Sequence, residues 1–327
     1  MTGRAPVLIT GINGQDGSYL AEYLLELGYD VYGMVRRHSV AEDQSSRISS
    51  ILNRVETFYG DLLDEHSIYN ALSRIRPVQI YNLAAMSHVR ISTDIPSFTI
   101  KTNSLGVLNM LEAARTIVPE AKFYQASSSE MFGNSCDSDG KQRLSTPMNP
   151  VSPYGCSKVL AYNLVRHYRN AYGMYAVNGI LFNHESPRRG INFVTNKVVK
   201  HSVEIASGRR QYLELGNLHS SRDWGHSYDY VRAMYKMMNY DIPRDWIVAT
   251  GETRTVKDMV DYVFGKLGLD FDSVVRVNPA YQRPEELKYL CGDSSDTRKL
   301  LGWKPTYTFE SMLDEMIEHW KAHDGNA

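Results

Sequence analysis

The sequence predicts an α/β fold with a doubly wound parallel sheet and a smaller α/β region at its C-terminal end. Short apolar runs alternate with segments of helical period from the N-terminus to about residue 184, which is typical of βαβ units. Right-handed crossovers between such units give a parallel sheet covered on both faces. Beyond residue 184 the alternation loosens into shorter elements separated by loops rich in Gly, Pro and Arg. We therefore predict one domain at 1–184 and a second region at 185–327, with a segment near 215–254 partly returning to the first.

The elements of the first domain follow one another in a regular order. Val7–Ile9 and Val31–Val35 are short apolar runs that predict buried strands. The leucines between them recur at helical spacing, and Gly28 ends the predicted helix. Further along, the same patterns predict helices at 67–75 and 105–114, a helix starting near Tyr154, and strands at 78–83, 122–126 and 175–182.

In the C-terminal region the pattern predicts two short strands and two helices. The strands are Leu213–Leu215 and Val248–Thr250, and the helices lie near 255–267 and 309–320. Strands this short cannot form a large sheet of their own. The region is therefore predicted to bind the substrate beside the main domain.

Composition excludes several classes of protein. Of 327 residues, 43% are hydrophobic and 22% are charged, as in ordinary globular proteins, and a net charge of -1 gives no reason to expect nucleic-acid binding. The three cysteines have no CxxC or metal-ligand spacing, which favours a reducing compartment and no metal site. No apolar run approaches the roughly 18–20 residues that span a bilayer, and the N-terminus lacks a signal peptide. We expect a cytoplasmic protein without a membrane partner.

A glycine-rich loop follows the first predicted strand. Gly11, Gly14 and Gly17 have the spacing GxxGxxG and open the first helix. Such glycines permit a tight turn and close approach of the backbone to a pyrophosphate, which the helix N-terminus then binds. A glycine motif alone is weak evidence, but its place at the first strand-to-helix junction predicts a dinucleotide site. The loop residues predicted to contact the cofactor are Gly11, Asn13, Gly14, Gln15, Asp16 and Gly17.

The end of the second strand indicates which dinucleotide binds. An acidic residue there suits the ribose hydroxyl of NAD, whereas arginine suits the 2′-phosphate of NADP. The strand ends Val35-Arg36-Arg37, so NADP is favoured and 1–184 is predicted to be an NADP-binding Rossmann domain. The alternative is an exposed arginine pair. Other strand ends add predicted cofactor contacts at Asp61, Leu62, Leu83, Ala84 and Ala85, although Gly60-Asp61 is also a common turn.

Tyr154 and Lys158 lie four residues apart and hence on one face of a predicted helix. A phenol with a pKa near 10 is a poor base at neutral pH, so we expect the Lys158 ammonium to lower it and to hold the nicotinamide ribose. Ser128, at the end of the preceding strand, is expected to hydrogen-bond the substrate hydroxyl that Tyr154 deprotonates. A YxxxK pair is also common on exposed helices. The catalytic interpretation is favoured here because the same chain carries the glycine-rich cofactor loop.

Glu130 follows Ser128 in the segment Ser128-Ser129-Glu130-Met131. A sugar oxidoreductase or epimerase has little need of a carboxylate at this position. Removal of a proton beside a ketone and expulsion of water from the adjacent carbon requires a general base and then a general acid. Glu130 therefore indicates a dehydratase, with a surface charge at a strand end as the plain alternative.

With these residues assembled, the chain resembles the GDP-mannose 4,6-dehydratases, a family within the extended short-chain dehydrogenase/reductase superfamily. The resemblance covers nearly the whole length. Its most specific segments are TGINGQDGSYLAE (10–22), YNLAAMSHV (81–89), YQASSSEMFG (124–133), SPYGCSKVLAY (152–162), NGILFNHESPRRG (178–190), LGNLHSSRDWGH (215–226) and RPEE (283–286).

The resemblance implies an NADP-dependent lyase. Hydride would pass from C4 of the sugar to NADP⁺ while Tyr154 takes the hydroxyl proton. Glu130 would abstract the C5 proton and help water leave C6, and the same hydride would return to C6 to give a 4-keto-6-deoxy sugar. Motif positions imply that His184 and Arg189 lie near the nicotinamide or its phosphates and that Ser87 contacts cofactor and substrate. They also imply GDP-sugar contacts at Asn183, Lys197, Arg222, Arg283 and Glu286, with Lys197 equally readable as an exposed helix residue.

Departures from the family pattern leave the sugar open. Ser128 stands where the family commonly has Thr, Met86 where it has Gln, and Phe98 where it has Tyr. The stretch FDSVVRVNPAY is shorter than its family counterpart, so GDP-mannose and GDP-manno-heptose are both candidate substrates. The segment from Arg36 to Arg47 resembles a family loop that crosses to a neighbouring subunit, which implies a homo-oligomer, either a tetramer built from dimers or a dimer.

Two other functions remain open from the sequence. One is a GDP-sugar reductase or epimerase of the same fold, which Glu130 argues against. The other is a catalytically silent protein that binds a nucleotide sugar or senses NADP. Retention of Tyr154, Lys158 and Glu130 together argues against that second alternative.

Overall fold

The computed structural model describes residues 5–37, 45–281 and 285–324. Its strands, numbered along the chain, are β1 (Pro6–Thr10), β2 (Asp30–Val35), β3 (Val55–Tyr59), β4 (Gln79–Asn82), β5 (Lys122–Ser128), β6 (Ala176–Leu181), β7 (Asn183–Glu185), β8 (Leu213–Leu215), β9 (Ser221–Arg222), β10 (Trp224–His226), β11 (Trp246–Val248), β12 (Arg254–Thr255) and β13 (Val275–Val277).

Seven of these strands form one parallel sheet in the order β11-β6-β5-β4-β1-β2-β3. The chain runs outward from β1 through β2 to β3, then returns to β4 on the other side of β1. This reversal confirms the predicted doubly wound sheet. In such sheets the crevice between β1 and β4, at the carboxyl ends of the strands, is where ligands bind.

The helices are α1 (Gln15–Glu26), α2 (Glu65–Ile75), α3 (Val89–Asp94), α4 (Pro96–Ile100), α5 (Gly106–Ile117), α6 (Pro153–Tyr172), α7 (Val194–Ala206), α8 (Ser227–Met238), α9 (Val256–Leu267), α10 (Phe271–Val274), α11 (Ser295–Leu301) and α12 (Phe309–Asp324). In the part of the chain that the structure describes, no helix is both long and apolar enough to cross a membrane.

Helices cover both faces of the sheet. On one face α1 and α8 bury side chains such as Leu24 and Met234 against the strands, and on the other α2, α5 and α6 bury side chains such as Leu72 and Leu111. Full burial of one such side chain stabilises the fold by about 1.5–3 kcal/mol. These two layers fix the strand ends that carry the predicted site residues.

The C-terminal region has its own apolar core. Helices α7, α9 and α12 pack together over β8 and β13, with Val199, Val260 and Met316 buried among them. Two segments of this part of the chain instead belong to the main sheet, because β11 pairs with β6 and α8 packs against α1. The C-terminal region is therefore connected to the main domain at two places.

Some predicted element bounds need correction. The predicted strand Val248–Thr250 is wrong, since the strand is Trp246–Val248 and the backbone N–H groups of Thr250 and Gly251 donate instead to the buried Asp223 carboxylate. Helices α7 and α8 were not predicted, although each has one buried face. Helix α6 does begin where expected, with the Ser152 hydroxyl capping its first turn.

Candidate active site

A cavity of about 580 Å³ opens at the carboxyl ends of the sheet strands. Of the residues predicted above as catalytic, cofactor-binding or substrate-binding, every one that the structure describes lines this cavity. Arg283 lies outside the described residues. The fold thus brings together side chains that are up to 275 positions apart in the chain, from Gly11 to Glu286.

The glycine loop has the close packing that a dinucleotide site requires. A Cβ atom on Gly17 would lie 2.3 Å from the carbonyl oxygen of Gly11 and 2.7 Å from Cα of Ile12, so only glycine fits there. Gly14 begins α1, and no side chain caps the first turn of that helix. Uncapped N–H groups and the helix dipole favour a phosphate at this point. These residues therefore fit the pyrophosphate of a nicotinamide dinucleotide.

Arg36 lies on the cavity wall at the end of β2. Its guanidinium carbon lies 5.7 Å from the ring centroid of Phe98, so the substituted ring packs on this arginine. Met86 does not line the cavity; its backbone amide donates to the Asn103 side chain at 2.8 Å. Neither departure from the family pattern therefore opens the cofactor end of the cavity.

Arg47 is a residue that sequence reasoning assigned only to a subunit-crossing loop. Residues 38–44 of that segment lie outside the described residues. Arg47 donates from Nε to the carbonyl oxygen of Arg188 at 2.7 Å and from Nη1 to that of Asn13 at 3.3 Å. It therefore links the glycine loop to the loop that carries Arg189, within the same chain. The sequence offered one signal for this role, because Arg47 is a third arginine in the segment that begins with Arg36 and Arg37.

Asp16 and His184 form an ion pair at the cofactor end of the cavity. The Asp16 carboxylate accepts from His184 Nε2 at 2.8 Å and from the Ser227 hydroxyl at 2.7 Å. Burial opposes ionisation of Asp16, yet the His184 charge and these two hydrogen bonds lower its pKa to about 2. The ring of His184 stacks on that of Tyr230, with 4.6 Å between the two ring centroids.

The pKa of His184 shifts in the opposite direction. Burial alone would lower the pKa of His184, but the Asp16 carboxylate and the Phe182 carbonyl, which lies 2.7 Å from Nδ1, together raise it above 6.5. Both ring nitrogens face acceptors, which is the arrangement an imidazolium requires. The surroundings of His184 therefore favour its protonated form.

We expect Asp16→Asn to destabilise the protein by about 2 kcal/mol, the equivalent of the Asp16 shift at about 1.4 kcal/mol per pKa unit. The stability that Asp16 contributes is fully present above pH 3.8 and is lost as the pH falls towards 2. The stability that His184 contributes is fully present below pH 6.5 and is lost as the pH rises through its raised pKa. The difference between wild type and variant should therefore be largest between those limits. Urea unfolding across pH measures it, with exposed Asp30→Asn as control; a difference that does not vary with pH contradicts the ion pair.

Ser128, Glu130 and Tyr154 lie together at the end of β5. The Ser128 hydroxyl oxygen accepts from the backbone N–H of Glu130 at 3.2 Å and shares a hydrogen bond with Tyr154. The Glu130 side chain is only 7% exposed, and its charge raises the pKa of Tyr154. The carboxylate therefore faces the cavity beside the phenol and not bulk water.

The expected lowering of the Tyr154 pKa does not occur in the protein alone. Burial raises the pKa of this phenol to about 12, and the Glu130 charge adds to the rise while the Ser128 hydrogen bond opposes it. The Lys158 ammonium donates to the carbonyl oxygen of Ala126 at 2.8 Å and lies 5.7 Å from the Tyr154 ring centroid. Burial lowers the pKa of Lys158 to about 8. Desolvation is the largest cause of both pKa shifts.

Two cations line the far end of the cavity, Arg222 from β9 and Lys197 from α7. Arg189 lies nearer the catalytic end, where its charge affects the pKa values of Asp16, His184 and Tyr154. Sequence reasoning missed Tyr281, whose ring centroid lies 3.5 Å from Lys197 Nζ. Arginine and lysine around an aromatic side chain provide chemistry that suits a diphosphate linked to a planar base.

Comparison with known proteins places these motifs in one group. The sequence profile described as GDP-mannose 4,6 dehydratase matches residues 8–316. GDP-mannose 4,6 dehydratase 1 of Arabidopsis thaliana is 45% identical over 327 residues, which cover 96% of this chain and 89% of the plant protein. GDP-mannose 4,6 dehydratase of Homo sapiens is 42% identical over 339 residues, covering 96% and 91%.

Solved structures share the fold at lower identity. UDP-glucose 4-epimerase of Thermotoga maritima with UDP-glucose superposes with a TM-score of 0.86 at 22% identity, covering 97% of this chain and 99% of the epimerase. dTDP-glucose 4,6-dehydratase of Bacillus anthracis in complex with NAD gives 0.85 at 20% identity, covering 98% of each chain. RMD of Pseudomonas aeruginosa complexed with NADPH gives 0.80 at 20% identity, covering 97% and 99%.

Proposed function

This chain belongs to the GDP-mannose 4,6-dehydratase family, and from that premise we propose that it is a hydro-lyase that removes water from a GDP-activated mannose-type sugar. The product is the GDP-4-keto-6-deoxy sugar, and GDP-mannose is the substrate we favour. The observation that supports this most is the position of Glu130, buried in the cavity wall beside Tyr154. A carboxylate there serves elimination and has no task in simple hydride transfer.

The side chains of the site divide the reaction between them. Tyr154 takes the proton of the C4 hydroxyl, whose oxygen Ser128 holds by a hydrogen bond. Glu130 then removes the C5 proton and donates a proton to the hydroxyl that leaves C6. A nicotinamide dinucleotide held by the glycine loop and Arg36 would supply the hydride acceptor at C4 and, once reduced, the hydride for C6. C5 then regains a proton, and this balances the proton that Tyr154 took from the C4 hydroxyl. Because Ser128 also accepts from the Glu130 backbone, one hydroxyl aligns the phenol and the carboxylate.

We propose NADP in preference to NAD as the cofactor. Structural neighbours were crystallised with NAD or with NADPH, so the fold accommodates either dinucleotide. Arg36 at the end of β2 supports the phosphorylated form, because a guanidinium pairs well with a 2′-phosphate. The Arg36 side chain is also braced by Phe98, which holds it at the cavity wall.

We propose that the GDP moiety lies among Lys197, Arg222 and Glu286, with the sugar between them and Glu130. Asn183 and Ser87 line the stretch between these two ends. The division into an NADP-binding domain at 1–184 and a mainly GDP-sugar-binding region at 185–327 fits this arrangement. Exposed Leu105, in the turn just before α5, and exposed Leu160 on the neighbouring helix α6 favour a homo-oligomer, and the composition favours the cytoplasm.

A GDP-sugar reductase or epimerase is the second candidate, because the fold is shared with epimerases. The burial of Glu130 argues against it. A reductase or epimerase of this fold would tolerate a carboxylate at that position only if it were exposed to solvent. Glu130 is instead buried, with 7% of its surface exposed.

We expect purified protein with GDP-mannose and a catalytic amount of NADP⁺ to form a 4-keto product without net NADPH. Proton NMR should show a new C6 methyl doublet. Stoichiometric build-up of NADPH would instead identify a dehydrogenase. A product that is inverted at one carbon between C2 and C5 and keeps its C6 hydroxyl would identify an epimerase. Parallel assays with GDP-manno-heptose and with NAD⁺ decide the preferred sugar and cofactor.

A further inference from the structure

The segment that carries Glu286 runs alongside the loop that follows Glu130. Its buried residues Leu287 and Leu290 pack against Met131 and Phe132, which belong to the same turn as Glu130. Further along, Gln142 and Cys291 exchange backbone and side-chain hydrogen bonds of 2.7–2.9 Å. This segment, residues 286–293, is therefore held against the catalytic turn by apolar contacts and by a buried anchor at its far end.

Asn134 holds the near end of the segment. Its Nδ2 donates to the carbonyl oxygen of Glu286 at 3.1 Å, and its Oδ1 accepts from the backbone N–H of Lys288 at 2.8 Å. One side chain thereby pairs with the backbone as a neighbouring strand would. Gly133, just before it, has a φ of +56° and would place a Cβ 1.8 Å from the Asn149 carbonyl oxygen. The direction in which Asn134 leaves the catalytic turn is therefore fixed.

The opposite edge of the same segment pairs with the residue beside Arg222. The backbone N–H of Ser221 donates to the carbonyl oxygen of Lys288 at 2.9 Å, and that of Leu290 donates to Ser221 at 3.1 Å. The segment thus lies between the Glu130 turn and β9. The relative positions of Glu130, Glu286 and Arg222 depend on this ladder, and Asn134 is the side chain that sets its register next to Glu286.

We infer that Asn134 is a positioning residue for the GDP-sugar: it holds Glu286 at the distance from Glu130 that the bound substrate requires. This inference rests on the proposed function for the roles of Glu286 and Glu130. Asn134 itself does not line the cavity and acts only through the backbone of residues 286 and 288. The Glu130 backbone is held by the Ser128 hydroxyl, and the turn that carries it is buried through Met131 and Phe132. Loss of the Asn134 side chain therefore displaces Glu286 and leaves Glu130 in place.

Asn134→Ala is expected to raise KM for GDP-mannose and Kd for GDP about tenfold, because two neutral hydrogen bonds of an exposed side chain are lost. We expect kcat and Kd for NADP⁺ to change by less than about twofold, since the cofactor end does not depend on this contact. Asn134→Asp keeps the shape of the side chain but turns an oxygen towards the Glu286 carbonyl. It should raise KM and Kd for GDP at least as much as alanine does.

Asn149→Ala is the matched control, because Asn149 is an exposed asparagine of the same loop and its side chain donates to the Ser135 hydroxyl at 2.8 Å. It should leave KM, kcat and Kd for GDP unchanged. Steady-state kinetics give KM and kcat, and calorimetric titration gives Kd for GDP and for NADP⁺. Unchanged KM and GDP affinity in both Asn134 variants overturns the inference, whether or not thermal stability falls, and so does a loss confined to kcat.

The two hypotheses fail separately. Wild-type protein that binds GDP but does not convert GDP-mannose overturns the proposed function, and the GDP affinity of the Asn134 variants then still decides the positioning role. Wild-type protein that binds no GDP overturns both.

Discussion

Glu130→Gln is expected to lower kcat for dehydration about a thousandfold, within the range that general acid–base groups contribute. The amide keeps the size of the side chain but cannot remove the C5 proton or protonate the leaving hydroxyl. Oxidation at C4 depends on Tyr154 and not on Glu130, so the variant should still transfer hydride once. Nicotinamide absorbance should therefore rise to no more than one reduced cofactor per active site and stay there.

This pattern separates elimination from hydride transfer. Stopped-flow absorbance measures the reduced cofactor, and NMR in deuterated solvent measures exchange at C5, which should vanish in the variant. Exposed Glu120→Gln, a carboxylate on the loop after α5, serves as control and should match wild type. Dehydration by Glu130→Gln within tenfold of wild type would remove the case for Glu130 as the acid and base, leaving a generic sugar oxidoreductase.

Tyr154→Phe is expected to lower kcat by a thousandfold or more, and it should abolish the reduced-cofactor signal as well as the product. Without the phenol no group takes the C4 hydroxyl proton, so hydride transfer cannot begin. This is the outcome that distinguishes Tyr154 from Glu130. Rapid-mixing absorbance on the two variants side by side measures it.

Stability should change little in this variant. Burial raises the pKa of Tyr154 to about 12, so the phenol is neutral at pH 7 and its removal takes away one hydrogen bond to Ser128 and no charge. The expected loss is about 1 kcal/mol in the free energy of unfolding. NADP⁺ affinity should stay within about threefold, because Lys158 is retained. Tyr172→Phe, at the exposed end of α6, is the matched control. A variant that still reduces bound cofactor at the wild-type rate would rule out Tyr154 as the base.

The sequence by itself determined the features that short-range patterns encode. The alternation of apolar runs with helical periods gave the doubly wound sheet, since burial of both faces requires it. The glycine spacing in residues 11–17 and the four-residue spacing of Tyr154 and Lys158 are local, and each gave its site without the fold. Arg36 and Glu130 were identified as candidates because each lies at the end of a predicted strand.

Only the tertiary structure decided the contacts between distant segments. Asp16 and His184 are 168 positions apart, and Asn134 and Lys288 are 154 apart, so no local period joins them. The pairing of β11 with β6 and the burial that raises the Tyr154 pKa are likewise products of the packed fold. Such contacts follow from how all the layers pack at once, whereas a sequence pattern reports only which face of its own element is buried.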